Sequence, residues 1–181
     1  LRARYPQVPA VQANLAALPL RTSSVDAVVS LQVIEHLWDL PGFLSDCRRV
    51  LRPQGELIVT TPQRVTFSPG LGRGEKPINP FHVEEFDAEQ VDAALRDAGF
   101  VDVEMRGIHH GARISAWEAE NGPIVAAQIA AAVSDTWPLP LSDFVASVDA
   151  RDFEVDASPL APHDPHLAQA QDLLAIARAG V

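Results

Sequence analysis

A glutamate and a histidine stand side by side at Glu35-His36, inside the run LQVIEHLWDLP over residues 31–41. The residues before it, Val25-Asp26-Ala27-Val28-Val29-Ser30, read as a buried strand. Buried strands commonly end in turn residues such as Gly, Asn or Asp. Here the chain leaves through two titratable groups wrapped in Val33, Ile34, Leu37 and Trp38. One use of such a pair is structural, with the carboxylate orienting the imidazole and hydrogen bonds satisfying both. Another is proton transfer: histidine, with an unperturbed pKa of about 6.5, suits removal of a proton from an attacking hydroxyl.

Other candidates are weaker. His109-His110 follows a strand, and adjacent histidines on a strand point to opposite faces, so at most one can enter a pocket there. His163 and His166, among Pro162 and Pro165, read as loop residues. Gly70-Leu71-Gly72-Arg73-Gly74 lies between Pro69 and Pro77 and opens no helix, unlike a nucleotide-binding loop. Cys47 shares its spacing with Phe43, Leu44, Val50 and Leu51 and reads as a small core hydrophobe.

The elements that must position Glu35-His36 alternate. Residues 1–6 look like a last helical turn stopped by Pro6, and Val8–Gln12 could form a short strand. After the strand at 25–31, Pro41-Gly42 starts a helix whose apolar face is Phe43, Leu44, Cys47, Val50 and Leu51. Glu56–Thr61 is a β-branched strand, and 62–86 is a long proline-rich loop of the kind that tends to be functional. Asp87 and Gln90 form a capping-box pattern, Phe86 and Val91 a hydrophobic staple, and Gly99 the stop of the next helix. Phe100–Met105 alternates as a strand, three helical pieces fill about 113–149, and Asp172–Arg178 is ambiguous by itself. This order predicts an α/β fold with a parallel sheet covered by helices on both faces. Ligands of such sheets bind outside the carboxyl ends of the strands, which is where Glu35-His36 falls.

The 181 residues suit one domain with a real core, and 47% apolar with 21% charged residues is a globular composition. A net charge of −10 without a Lys/Arg cluster argues against nucleic acid as a partner. No run reaches the roughly 18 apolar residues of a membrane span, and there is no signal-peptide pattern. A single cysteine fits a reducing, cytoplasmic compartment.

The runs DAVVSLQVIEHL at 26–37, RRVLRPQGELIVTTP at 48–62, FHVEEF at 81–86 and AGFVDV at 98–103 together resemble the later half of a class I S-adenosylmethionine-dependent methyltransferase. With RVTFSP at 64–69 and PINPFH at 77–82, the pattern resembles mycobacterial methyltransferases associated with methylglucose lipopolysaccharide synthesis. The resemblance implies a Rossmann-like sheet, mostly parallel with an antiparallel last strand at 172–178. It also implies a cap of helices at 113–149 that selects a small-molecule or carbohydrate substrate. The family's glycine-rich cofactor loop would lie upstream of Leu1, so the 181 residues alone are expected to be inactive. The implied cofactor contacts are Asn14 and Leu15 at the adenine, and Leu31 and Gln32 at the methionine portion. The implied reaction is O-methylation of a sugar hydroxyl, with Glu35, His36 and His82 at the reacting centre. Some relatives, among them small-RNA 2'-O-methyltransferases, carry E-x-x-E-H and a later His that hold a divalent cation. Here Gln32-x-x-Glu35-His36 with His82 matches that pattern, so Glu35, His36 and His82 are candidate Mg²⁺ ligands, with a neutral Gln in one place. Trp38, Phe81 and Trp117 could stack on a sugar ring, although packing is the commoner use of such residues. Two other readings stand beside this one: a non-catalytic methyltransferase-like partner module, and an O-methyltransferase for a small non-sugar metabolite.

Overall fold

The computed structural model describes residues 7–180, so the helical turn expected at 1–6 lies outside the described residues. The chain forms β1 (Val25–Leu31), a 3-10 turn at Ile34–His36, α1 (Leu40–Val50), β2 (Leu51–Pro62) and a single helical turn α2 (Arg64–Phe67). It continues with α3 (Ala88–Asp97), β3 (Phe100–His110), α4 (Ala112–Asn121), α5 (Ile124–Ser134) and α6 (Leu139–Ser147). It closes with β4 (Phe153–Val155) and β5 (Asp172–Ala179). The sheet order is β1-β2-β5-β3-β4. Among the described strands β1 and β2 pair in parallel, β5 runs antiparallel to both its neighbours, and β4 antiparallel to β3. The sheet is therefore mixed over this span, with the last strand antiparallel as expected. The strand expected at Val8–Gln12 does not form; an isolated bridge between Asn14 and Ala17 follows it instead. Pro9, inside that run, has no backbone N–H to give to a ladder.

Local signals explain the helices. Asp39 accepts the Gly42 N–H at 2.9 Å to open α1, with proline in its first turn. Asp87 and Gln90 form the reciprocal capping box that opens α3, and Gly99 at φ +85° ends it. The buried faces of α1 (Phe43, Leu44, Cys47) and α3 (Val91, Leu95) meet Leu57, Val59, Ala175 and Ala177 in one core. Cross-strand register sets Leu57 against Ala177 and Val59 against Ala175, so all four share one face of the sheet. On the other face Val29 and Leu31 of β1 are exposed, so the expected helices on both faces cover β1 on one. Burial raises the Cys47 thiol to about 12, which leaves it an inert core residue.

Helices α4 to α6 make a second core from Ile114, Ile124, Ala131 and Leu141, with Trp117 stacked on Phe144 at 5.2 Å. The break between α4 and α5 falls at Gly122, whose φ of +83° is costly for other residues.

Candidate active site

β1 ends abruptly. Gln32 takes φ +54°, a left-handed conformation, and donates its N–H to Thr60 O at 3.0 Å. The chain then tightens into the 3-10 turn, which drives Glu35 inward to 1% exposure while His36 stays half-exposed. The Thr61 hydroxyl donates to Glu35 Oε2 at 3.2 Å. The backbone oxygen of Glu35 accepts the N–H groups of Val83 and Glu84 at 2.8 and 3.3 Å, and this clamp brings the loop at 81–85 alongside. His82 thereby meets His36 edge-on, with ring centroids 5.0 Å apart.

The tautomers follow from the partners. His36 Nδ1 lies 2.9 Å from the Phe81 carbonyl oxygen, which can only accept, so Nδ1 carries the proton. Its Nε2 is left with a lone pair, 3.8 Å from Glu35 Oε1. His82 Nδ1 lies 2.7 Å from Glu85 Oε1, and Asn79 Nδ2 approaches its Nε2 at 2.9 Å. Ser68 donates to Glu85 Oε2 at 2.6 Å and accepts the Ile78 N–H, so the buried Glu85 is held on both oxygens. One ligand atom each from Glu35, His36 and His82 lies within 4.8 Å of the others, a donor set that could hold a cation.

On the other side of the β2 terminus, a cleft of about 260 Å³ opens between the strand ends and the insertion. Its polar floor includes Gln32, His110 and Asp172, and its apolar wall includes Ile124, Val145 and Phe153. Burial pushes the Asp172 carboxyl up to about 6; the hydrogen bond from Gln32 and the His110 charge oppose that, and the Glu35 charge adds to it. Gln32 Nε2 reaches Asp172 Oδ1 at 3.3 Å and Thr60 Oγ1 at 3.4 Å. Phe67 lines the cleft and also lies 6.2 Å from the His82 ring, joining the two sides.

The structure thus brings Glu35, His36 and His82 together and ties Gln32 to Asp172. Leu31, at the end of β1, is 56% exposed and offers an apolar surface there. Asn14 is a turn residue, its side-chain oxygen accepting the Ala16 N–H at 3.0 Å, with Leu15 exposed beside it. His110 faces the cleft, bonded to Glu118 at 3.1 Å, while His109 turns away to Asp156 and His166, as alternation on a strand requires. Trp117 packs in the insertion core, Phe81 contributes its carbonyl to His36, and Trp38 is 90% exposed. The glycine-rich run stays a loop in which Arg73 bridges Asp87 and Glu89. Sequence reasoning missed Asp172, Glu85 and Asp156. Asp172 carried one legible hint, an acidic residue at the first position of a strand next to the strand-end pair.

Residues 1–59 match a family described as a methyltransferase domain. A protein of Mycobacterium tuberculosis named as a probable S-adenosylmethionine-dependent methyltransferase is 50% identical over 98% of this chain and 63% of its own length. A similarly named Mycolicibacterium smegmatis protein is 46% identical over 98% of this chain and 67% of its own length. The chain spans about two thirds of these relatives. A solved S-adenosylmethionine-dependent methyltransferase of Thermotoga maritima aligns with a TM-score of 0.59 at 15% identity, over 98% of this chain and 67% of that one, and carries the fold alone.

Proposed function

Because the chain belongs to the class I S-adenosylmethionine-dependent methyltransferases, we propose that it forms the acceptor side of an enzyme that methylates a hydroxyl group of a sugar. The observation that carries this reading is the assembly of Glu35, His36 and His82 at the carboxyl end of β1, beside a cleft floored by Asp172. Leu31 and Gln32 suit one wall of the cofactor pocket, with Leu15 as a further apolar contact; Asn14 would have to share an oxygen already bonded to Ala16. Bound S-adenosylmethionine supplies the methyl group, which passes from sulfur to oxygen by in-line displacement.

The residues of this chain must position the acceptor and take its proton. His36 Nε2 carries a lone pair and lies in the half-exposed part of the site, so it accepts the hydroxyl proton. The imidazolium so formed sits 3.8 Å from Glu35 Oε1. His82, fixed by Glu85, holds the neighbouring wall. Asp172 lies where it can orient a second hydroxyl of a diol, and at neutral pH its carboxyl is mostly ionised. A cleft with one apolar wall and a polar floor fits a sugar carrying methyl groups already, as in a polysaccharide or glycolipid under synthesis. Helices α4 to α6 then act as the substrate cap.

A second reading is favoured by the clustering of three donor atoms. Glu35, His36 and His82 would hold a divalent cation such as Mg²⁺, which lowers the pKa of a bound hydroxyl, provided the Asn79 amide yields its place at His82 Nε2. Activity indifferent to a chelator excludes this reading.

The test is methyl transfer from radiolabelled S-adenosylmethionine by the whole protein to a methylglucose oligosaccharide. Label in the sugar is the expected result. Cofactor binding without transfer to any hydroxyl would favour a non-catalytic module. Transfer confined to small non-sugar alcohols would move the acceptor class, and a protein that neither binds the cofactor nor methylates would overturn the reading.

A further inference from the structure

A second group of metal-binding side chains lies away from the cleft. His109 on β3, Asp156 just after β4 and His166 in the following loop bring one nitrogen, one oxygen and one nitrogen within 4.8 Å of each other. We propose that His109, Asp156 and His166 form a Zn²⁺ site that fastens the segment 156–171 to the sheet.

The geometry points to a cation rather than to a hydrogen-bonded triad. Asp156 Oδ1 lies 3.3 Å from His109 Nε2 and 3.0 Å from His166 Nε2. Metal bonds of about 2.0–2.1 Å in a tetrahedral site separate ligand atoms by about 3.3 Å. The two carboxylate oxygens have separate duties: Oδ2 accepts the Gly107 N–H at 2.7 Å, which leaves Oδ1 to both imidazoles. His109 Nε2 is buried and has no hydrogen-bond partner of acceptable geometry, a cost that a bound cation would remove. The rings of His109 and His166 lie close, with centroids 4.6 Å apart, and both turn Nε2 to the same oxygen.

The site is also built from its surroundings. A Cβ at position 107 would come within 2.6 Å of His109 Nε2 and 2.9 Å of Asp156 Oδ2, so glycine is what lets these groups meet against the strand. The Asp156 N–H returns to Gly107 O at 3.0 Å, and Arg106 donates to the carbonyls of Asp156 and Ala157 at 2.9 and 2.7 Å. Two ligands are therefore fixed on the sheet before the third arrives. His166 is half-exposed, which leaves an open side for water as a fourth ligand. Two imidazoles and one carboxylate suit Zn²⁺ better than Mg²⁺, which takes oxygen ligands. Segment 156–171 leads directly into Gln171 and Asp172 on the cleft floor, so a metal clamp there would also steady the cleft.

Cobalt substitution tests the site. Titrating the protein with Co²⁺ is expected to give the visible absorption of a four-coordinate ion at one equivalent, bleached by added Zn²⁺. The band should persist in a His36→Asn, His82→Asn double variant and weaken at least about 100-fold in affinity in Asp156→Asn or His166→Asn. His166→Cys, which supplies a thiolate at a half-exposed position, should restore it. Zn²⁺ should raise the melting temperature of the wild type and leave that of His166→Asn unmoved, with circular dichroism confirming that the variant folds. Wild-type protein that gives no such band, or binding that survives in His166→Asn and disappears in the His36, His82 variant, would overturn the proposal.

Discussion

The two histidine–carboxylate clusters hold the same residue types in different ways. Around Glu35, each imidazole is held through Nδ1 by a protein oxygen, Phe81 O for His36 and Glu85 for His82, and the carboxylate lies beneath at 1% exposure. Around Asp156, one carboxylate oxygen is aimed at two Nε2 atoms, and the His109 nitrogen lacks a hydrogen-bond partner. The first arrangement fixes tautomers and leaves His36 Nε2 ready to accept a proton. The second gathers donors around a point. The two clusters differ in what the rest of the protein holds, ring Nδ1 atoms in the first and a carboxylate oxygen between two Nε2 atoms in the second, a property that residue type and spacing do not encode.

The sharpest way to break this distinction is at His36. His36→Ala is expected to lower kcat by about 10²–10⁴-fold, the range for loss of a general base, with cofactor binding nearly unchanged. Single-turnover kinetics and calorimetric titration would check both, and parallel losses would mean a folding defect instead.

Asp172→Asn comes next, with kcat falling by roughly 10–100-fold if the carboxylate orients the acceptor. The wild-type rate should fall more steeply than the variant's as pH drops through about 6, since only the wild type has the Asp172 carboxylate to protonate there. The stability consequence has the opposite sense. A carboxyl whose folded pKa is raised contributes stability that is present below its ordinary value near 4 and lost as pH rises through about 6. The variant should therefore match or exceed the wild type in melting temperature at pH 7, and that advantage should shrink toward pH 4.

Gly107→Ala probes the other cluster. Crowding His109 and Asp156 is expected to cost about 1–3 kcal/mol in urea unfolding and to spare the proton transfer proposed for His36. The smallest effect is expected at Asp87, which caps α3 and receives Arg64 from α2 and Arg73 from the loop after it. Burial raises its carboxyl, but hydrogen bonds from Arg73, Gln90 N–H and Arg64 outweigh that and leave it below the ordinary value. Its contribution is therefore present above about pH 4 and lost as pH falls through the lowered value, and Asp87→Ala should cost about 1 kcal/mol at pH 7.

Local signals carried most of the architecture. The apolar spacing of 43–51, the Asp87–Gln90 box, the Gly99 stop and the three-piece helical insertion all correspond to observed elements. Strand lengths were less legible: β2 begins at Leu51 rather than Glu56, and β3 runs on to His110, because pairing rather than propensity sets where a strand ends. Val8–Gln12 shows the converse, a strand-like run that forms no strand. Within the site, Glu35-His36 was visible because titratable groups at a strand end are unusual. Glu85 and Asp172 were hidden, since their roles depend on a loop clamp at Glu35 O and on burial from the insertion. His166, read as a plain loop residue, acquires its neighbours only when 156–171 folds back on β3.

The order β1-β2-β5-β3-β4 has a consequence for synthesis. β5 pairs Glu56 with Arg178 and Val101 with Arg178 from opposite edges, so among the described strands the last in sequence sits between two earlier ones. Until residue 179 has left the ribosome, β2 and β3 each present a bare edge and cannot join. The nascent chain must wait with those edges open, a state prone to mispairing that slow, long-range contacts prolong. A ribosome stalled before Asp172 would release two half-sheets with no strand to join them, a natural substrate for chaperones and proteases.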